Sequence, residues 1–498
     1  MRDVTTFGLV IGAVSLALLL AVISNRFSER VRVPAPAIFL LAAAVVSDVV
    51  PALGRIPVVT VQRVVTIALI VLLFDGGMHI GWRRFRSAAG PVVWIGVAGT
   101  FATSAGVAVL AHLLFGFGWL AALLLGTALA PTDPAVVFSV LGRREISGRS
   151  GTLLEGESGA NDPVGIAAMA SLLAAGTASG WHAVGSGLGE FALEMAVGAA
   201  AGLLGGYGLS LFMRRVPLPS GALYPLSTLA AAGVIYGVTT LAHGSGFLAV
   251  FIAGILVGDL RAPYKAEIER FHSSLASLAE IVAFAMLGLT VSLRHLAGSN
   301  AWLIGLGLAA LLTLLVRPAL VGLLLLPVRL RPGERLFVMW SGLKGAVPIL
   351  LGTYILTANI AGAARMYDIV VVVVAFSVIV QGSLVPFIAH RTGVPMRTVE
   401  PEPWALGVRF RHEPAGMHRY LVATGAPADG CTLADLALGE DAWISLISRD
   451  GALVPVRRDT TLQAGDEVVV LADPAAQPDP EPLFTAPAQP SMGAPTNP

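Results

Sequence analysis

A single cysteine, Cys431, in 498 residues leaves no disulfide framework and no thiolate-rich metal site, which removes thiol redox chemistry from the possible functions. Charge is scarce as well. Only 13% of residues are Asp, Glu, Lys or Arg, against roughly 25% in an average soluble domain. With 55% hydrophobic residues and a mean hydropathy of +0.79, a soluble globular chain is excluded. The formal net charge is +1, without the basic excess that holds nucleic acid by counterion release, so no nucleic-acid partner is expected.

What the chain has in abundance is long apolar runs. A membrane-spanning helix needs about 20 mostly apolar residues, and thirteen candidate segments meet that need, near 5–24, 34–51, 61–80, 90–112, 118–141, 151–175, 190–213, 222–242, 245–258, 272–293, 300–326, 336–359 and 367–390. The first follows only Met1-Arg2-Asp3 and lacks a small-residue cleavage site before Asn25-Arg26, which reads as a retained helix rather than a signal peptide. The eighth and ninth are divided only by Gly244-Ser245-Gly246. One set of alternate loops carries seventeen Lys and Arg residues, while the opposite set, with the N-terminus, carries five. The positive-inside rule then places the N-terminus outside and the C-terminus in the cytoplasm.

After Arg397 the composition turns polar, with Pro401, Pro403 and Pro414, and a small cytosolic domain is expected over 403–474. Residues 443–448 and 453–456 flank Asp450-Gly451 and predict a hairpin, and Glu467–Leu471 predicts another strand. Residues 474–498 contain eight prolines and almost no aliphatics, so a disordered tail is expected from 475.

A charge at membrane depth costs at least about 2.5–3.5 kcal/mol on insertion scales, so intramembrane ionisable residues are functional candidates by default. Asp75, Asp133, Glu155, Glu157, Asp162, Glu280 and Lys344 fall inside apolar segments, whereas Asp48 and Glu194 read as snorkelling near an interface. Segment five contains Ala130-Pro131-Thr132-Asp133-Pro134, where two prolines remove donors and free carbonyls. Segment twelve contains Gly342-Leu343-Lys344-Gly345-Ala346-Val347-Pro348, a second break around one charge. Unwound backbone inside a membrane is tolerated where it lines a cavity, and matched breaks in two inverted repeats mark a transporter's binding site. On segment six, Glu155, Ser158 and Asp162 share one helix side, and Glu157 and Asn161 another. Ser158 and Asp162 could offer oxygens to a hard monovalent cation. Glu157 and Asn161 would face a partner helix, with Lys344 as the expected ion-pair partner of Glu157 and Arg317, before Pro318, as its competitor.

Three motifs, Pro131-Thr132-Asp133-Pro134, Glu157-Ser158-Gly159-Ala160-Asn161-Asp162-Pro163 and Trp340-Ser341-Gly342-Leu343-Lys344-Gly345-Ala346-Val347-Pro348, resemble the monovalent cation/proton antiporter superfamily in its bacterial NhaP-type sodium/proton exchanger branch. The resemblance covers 1–395. It implies an all-α polytopic membrane protein with thirteen transmembrane helices as inverted repeats, two broken crossing helices and a homodimeric assembly in a bacterial cytoplasmic membrane. By the same resemblance Asp162 is the essential carrier of cation and proton, with Asn161 beside it. Thr132 and Ser158 are oxygen ligands, Asp133 faces the helix crossing, Asp75 is an entrance-side acid of the cation site, and Glu157 pairs with a basic residue on segment twelve. Lys344 departs from the family's more frequent arginine, losing the bidentate fork, and could titrate. The segment 405–473, through Leu433-Ala434-Asp435-Leu436 and Ala464-Gly465-Asp466-Glu467-Val468-Val469-Val470, resembles the RCK C-terminal (TrkA-C) type of regulatory domain, a small α/β module, and implies a small ligand there.

The resemblance therefore implies a cofactor-free secondary transporter exchanging K+ or Na+ for H+, with potassium favoured because RCK-type modules accompany potassium systems. The Asn161-Asp162 pair resembles the electroneutral branch. Two other classes were weighed. Gly156-Glu157-Ser158-Gly159 could house a serine nucleophile, but His112 and His243 lie near segment ends with no catalytic motif around them. A cation channel lacks a filter-like repeat of carbonyls.

Overall fold

The computed structural model describes residues 34–50, 53–141, 144–146, 149–175, 181–260, 264–358, 360–398, 417–436, 442–449, 452–472 and 480–485, with single positions 12, 15, 19 and 438. Segment one, the loop cations Arg26, Arg30 and Arg32, and the Asp450-Gly451 turn lie outside the described residues. The chain forms two compact units, 1–399 and 400–498.

The first unit is helical. Seven helices of eighteen residues or more are apolar enough to cross a membrane, and Ala35–Val49, Gly246–Gly258 and Ala346–Thr357 are shorter apolar helices. From the second segment onward, every expected span falls on a helix or on a pair of half-helices. Segments three and four are continuous where a cationic loop was expected. The helix Val58–Val93 runs on through a six-residue π-helical stretch, Trp94–Gly99, into Thr100–Phe115, and bends at Gly81, whose φ of +66° suits glycine. The Asp259 carboxylate accepts from the Arg83 amide just past that bend, replacing the helical partner that the bend removes. The eighth–ninth boundary is sharp. Leu223–Leu241 ends, and the Ser245 hydroxyl accepts from the Leu248 amide to cap Gly246–Gly258.

Segments five and twelve are each split. Trp119–Leu129 gives way at 130–133 before Pro134–Leu141 begins, and Pro332–Trp340 gives way at 341–345 before Ala346–Thr357. Pro131 and Pro134 have no amide hydrogens to continue the first helix. Close approach then dictates small residues around the splits. A Cβ on Gly342 would strike the Arg317 guanidinium, and one on Gly345 would strike the Asp133 carboxylate. Strands β1 (Arg144–Ile146) and β2 (Met396–Thr398) pair antiparallel within this unit.

The second unit is a four-stranded antiparallel sheet in the order β3-β6-β4-β5, formed by β3 (Met417–Leu421), β4 (Ala442–Arg449), β5 (Ala452–Val454) and β6 (Glu467–Ala472). Its core gathers Val422, Ala428, Ile444, Ile447, Leu462, Val468, Val470 and Phe484. Phe484 is a correction to the expected tail. Within 475–498, Glu481–Thr485 forms a helical turn whose Phe484 is fully buried, because one large aromatic supplies the apolar area that the surrounding prolines lack. Asp466 is buried beneath this sheet. Burial works against its ionisation, but hydrogen bonds from Arg449 Nε and Nη2 at 2.7 and 2.8 Å and from the Gln463 amide at 2.8 Å hold its carboxyl below the usual carboxylate range.

Candidate functional site at the crossed helix breaks

The two breaks touch. The Asp133 amide donates to the Leu343 carbonyl at 2.8 Å, so each unwound stretch supplies a partner that the other's helix geometry has lost. Each also sends its charge across. Lys344 Nζ donates to the carbonyls of Ala130 and Pro131 at 3.0 and 3.1 Å, placing an ammonium on the C-terminal end of Trp119–Leu129. The Asp133 carboxylate accepts from the Ala135 amide at 2.9 Å and faces the amide of Ala346, so it sits at the N-terminal ends of Pro134–Leu141 and Ala346–Thr357. Gly345 leaves the room that this carboxylate occupies.

Helix Arg149–Ala175 closes the site from the side. Its Ser158 hydroxyl donates to the Thr132 carbonyl at 2.7 Å. Asn161 bridges the same residue, its Nδ2 donating to Thr132 Oγ1 at 2.7 Å and its Oδ1 accepting from the Thr132 amide at 3.3 Å. Asn161 thus faces the break of segment five alongside Ser158, not the partner helix that the helix-side argument assigned it, because three residues along a helix still reach one neighbour. Asp162 follows. It is 8% exposed, accepts no hydrogen bond among the described residues, and feels the charges of both Asp133 and Lys344.

Glu157 takes a different partner from the one expected. Arg317 Nη2 donates to Glu157 Oε1 at 2.9 Å, with both side chains buried, while Lys344 has no carboxylate within 4 Å among the described residues. The expected Glu157–Lys344 pair is therefore replaced by Glu157–Arg317. Arginine's fork explains the choice. Nε also donates to the Met339 carbonyl at 2.9 Å, and Nη2 lies 3.4 Å from the Val338 carbonyl, so one guanidinium serves the acid and the end of Pro332–Trp340 together.

Asp75 stands apart from this hub. Its carboxylate lies 3.3 Å from His79 Nδ1 on the same helix, its Oδ1 is buried without a partner, and it makes no hydrogen bond to the crossing among the described residues. Glu280 has a buried, unpartnered Oε1 and feels the charge of Asp133. Among the described residues no three His, Cys, Asp or Glu side chains converge as a metal-ion site, so a bound cation here would depend on mixed hydroxyl, carbonyl and carboxylate oxygens.

Two contributors escaped the sequence reading. Ser377 accepts from the Lys344 amide at 3.0 Å, and Gln381 accepts from Ser377 Oγ at 2.9 Å while donating through Nε2 to the Trp340 carbonyl at 2.6 Å. Together they hold both sides of the 341–345 break. Their signal was available as two polar residues four apart in an otherwise apolar run.

Residues 14–391 match the sequence model of the family described as sodium/hydrogen exchanger, transmembrane, and residues 417–479 match that of the TrkA-C domain. A K(+)/H(+) antiporter, NhaP, of Alkalimonas amylolytica is 31% identical over 481 residues, covering 95% of this chain and 82% of the relative. A Na(+)/H(+) antiporter, NhaH, of Halobacillus dabanensis is 30% identical over 333 residues, covering 64% of this chain and 80% of the relative. In fold, the chain is similar to the sodium proton antiporter MjNhaP1 of Methanocaldococcus jannaschii, with a TM-score of 0.63 at 23% identity, covering 75% of this chain and 98% of that one.

Proposed function

The chain belongs to the sodium/hydrogen exchanger family, and from that premise we propose that it is a potassium/proton antiporter that exchanges one cation for one proton by alternating access. It is a secondary transporter, not an enzyme. The observation that carries the reading is the Asp162 carboxylate, held beside the crossed breaks with no hydrogen bond of its own while its neighbours Thr132, Ser158 and Asn161 are locked together. A carboxylate so placed can take a proton or a monovalent cation, and the two exclude each other. Thr132 and Ser158 oxygens complete the cation's shell, and Asp133 and Lys344 steady the helix ends around it. Asp75, with its unpartnered oxygen, serves the cation on the way in. Broken helices that meet at one point are the usual architecture for binding an ion midway through a membrane.

Potassium is favoured by the relative named for it, which matches along 95% of the chain, and by the TrkA-C domain. Sodium is the second reading, favoured by the relative named for sodium. The finer architecture goes with this reading: thirteen spans as inverted repeats over segments one to six and eight to thirteen, a homodimer, and a small ligand for the TrkA-C domain. The loop bias of seventeen cations against five supports an N-terminus outside and a C-terminus inside a bacterial inner membrane.

The test is cation-induced dequenching of a pH-sensitive dye in everted vesicles, scanned over lithium, sodium, potassium and rubidium. Potassium should give the largest response, and Asp162→Asn should give none at normal expression. Exchange by Asp162→Asn near the unaltered rate would sink the mechanism, whereas a sodium response above potassium would replace only the cation.

A further inference from the structure

The tail from 474 has the composition of a chain that stays unfolded, yet part of it is seated on the cytosolic sheet. Pro480, Leu483 and Phe484 turn inward, while Glu481, Pro482 and Thr485 face out. The Phe484 ring lies nearly parallel to Tyr420, with centroids 5.0 Å apart and planes 9° apart. Its main chain is read at two points. The Ala423 amide donates to the Phe484 carbonyl at 2.9 Å, and the Ala428 amide donates to the Leu483 carbonyl at 3.0 Å. The segment lies beyond 479, where the match to the TrkA-C domain ends.

We infer that the surface made by Tyr420, Val422 and the 423–428 loop is a recognition groove for a short Leu-Phe peptide, and that the chain's own tail fills it in cis as a removable plug. Fixed amides reading peptide carbonyls, with a pocket for one aromatic side chain, is how folded domains recognise linear segments. The attachment is small: one buried ring, one half-buried leucine and two main-chain hydrogen bonds. A free peptide with so few contacts binds weakly. Tethering by residues 473–479 supplies an effective concentration on the order of millimolar, enough to keep a weak groove occupied. An attachment of this size also opens far more easily than the sheet beneath it. Pro480 and Pro482 restrict the unbound segment and so lower the entropy lost when it docks.

The test uses the chain ended at 479, the chain carrying Phe484→Ala, and the unaltered chain, each in detergent. The probe is a fluorescein-labelled peptide with the sequence of 478–487. Polarisation should saturate at micromolar peptide with both opened chains and need at least tenfold more peptide with the unaltered chain, whose plug competes. A probe carrying Phe484→Ala should not bind. Absence of saturable binding to opened chains whose cytosolic sheet still melts cooperatively would overturn the inference, as would equal binding to all three chains. Unfolding of the sheet in the chain ended at 479 would also overturn it, by making 480–485 part of the core. Protection that grows with protein concentration would overturn the cis assignment in favour of the tail of a second copy.

Discussion

The two helix breaks have opposite chemistry and one architecture. The first, at 130–133, is made by prolines and carries an acid, and the second, at 341–345, is made around glycines and carries a base. Neither charge serves its own segment alone. Lys344 neutralises the carbonyl end exposed by the first break, and Asp133 reaches the amide end exposed by the second. The difference teaches that these two charges are spent on helix ends, while Asp162 between them is left for a ligand. They also differ in their clamps. Ser158 and Asn161 of Arg149–Ala175 hold the first break, and Ser377 and Gln381 hold the second.

The largest expected effect comes from removing one crossing charge. Lys344→Met leaves the Ala130 and Pro131 carbonyls without a donor, at about 1–3 kcal/mol each, and should reduce exchange below detection in vesicles where the protein is still present. Lys344→Arg should retain part of the rate, because a guanidinium can still reach carbonyls. Full activity of Lys344→Met would show that the two breaks do not depend on each other's charges.

Next in size is the ion pair that braces the second break. Arg317→Met strands a buried Glu157 and should cost about 3–5 kcal/mol, while Glu157→Leu combined with Arg317→Met should recover much of it. Thermal unfolding of the four corners of that cycle measures the coupling. A cycle between Glu157 and Lys344 should instead be close to additive, and strong coupling there would restore lysine as the partner.

A third prediction asks whether Asp133 keeps its charge through the cycle. If it stays ionised at the helix ends, Asp162 alone exchanges one proton for one cation, and no net charge moves. An imposed potential of 100 mV, worth about 2.3 kcal/mol per elementary charge, should then leave the cation gradient in proteoliposomes unchanged at fixed ΔpH. A gradient that follows the voltage would mean that a second acid is protonated, with Asp133 or Glu280 as the carrier.

The smallest effect lies outside the spans, where an acid is committed to a structural arginine as Glu157 is. Asp466 has a folded pKa below its unfolded value of about 3.9. Its contribution is therefore present above that value and is lost as pH falls through the folded pKa. Asp466→Asn should lower the cytosolic domain's melting temperature by about 5 °C at neutral pH and narrow the gap as pH drops below about 4. A gap that does not change with pH would remove the charge from the explanation.

The sequence by itself determined the apolar segments, both breaks and the residues that carry charge into the membrane, because apolar run length and proline's missing amide act locally along the chain. It also brought Thr132, Ser158, Asn161 and Asp162 into one motif set. Only the tertiary structure decided which cation meets Glu157. A lysine and an arginine on different segments are equivalent until the helices cross, and then the arginine's several donors satisfy an acid and two carbonyls that a single ammonium could not. The same holds for Asp75, which an entrance role placed near the crossing and whose ion-pair partner in the fold is His79. It holds too for Ser377 and Gln381, whose partners lie thirty or more residues away. Phe484 makes the last case. Proline-rich composition describes how a segment behaves alone, and docking depends on a pocket built by strands elsewhere in the chain.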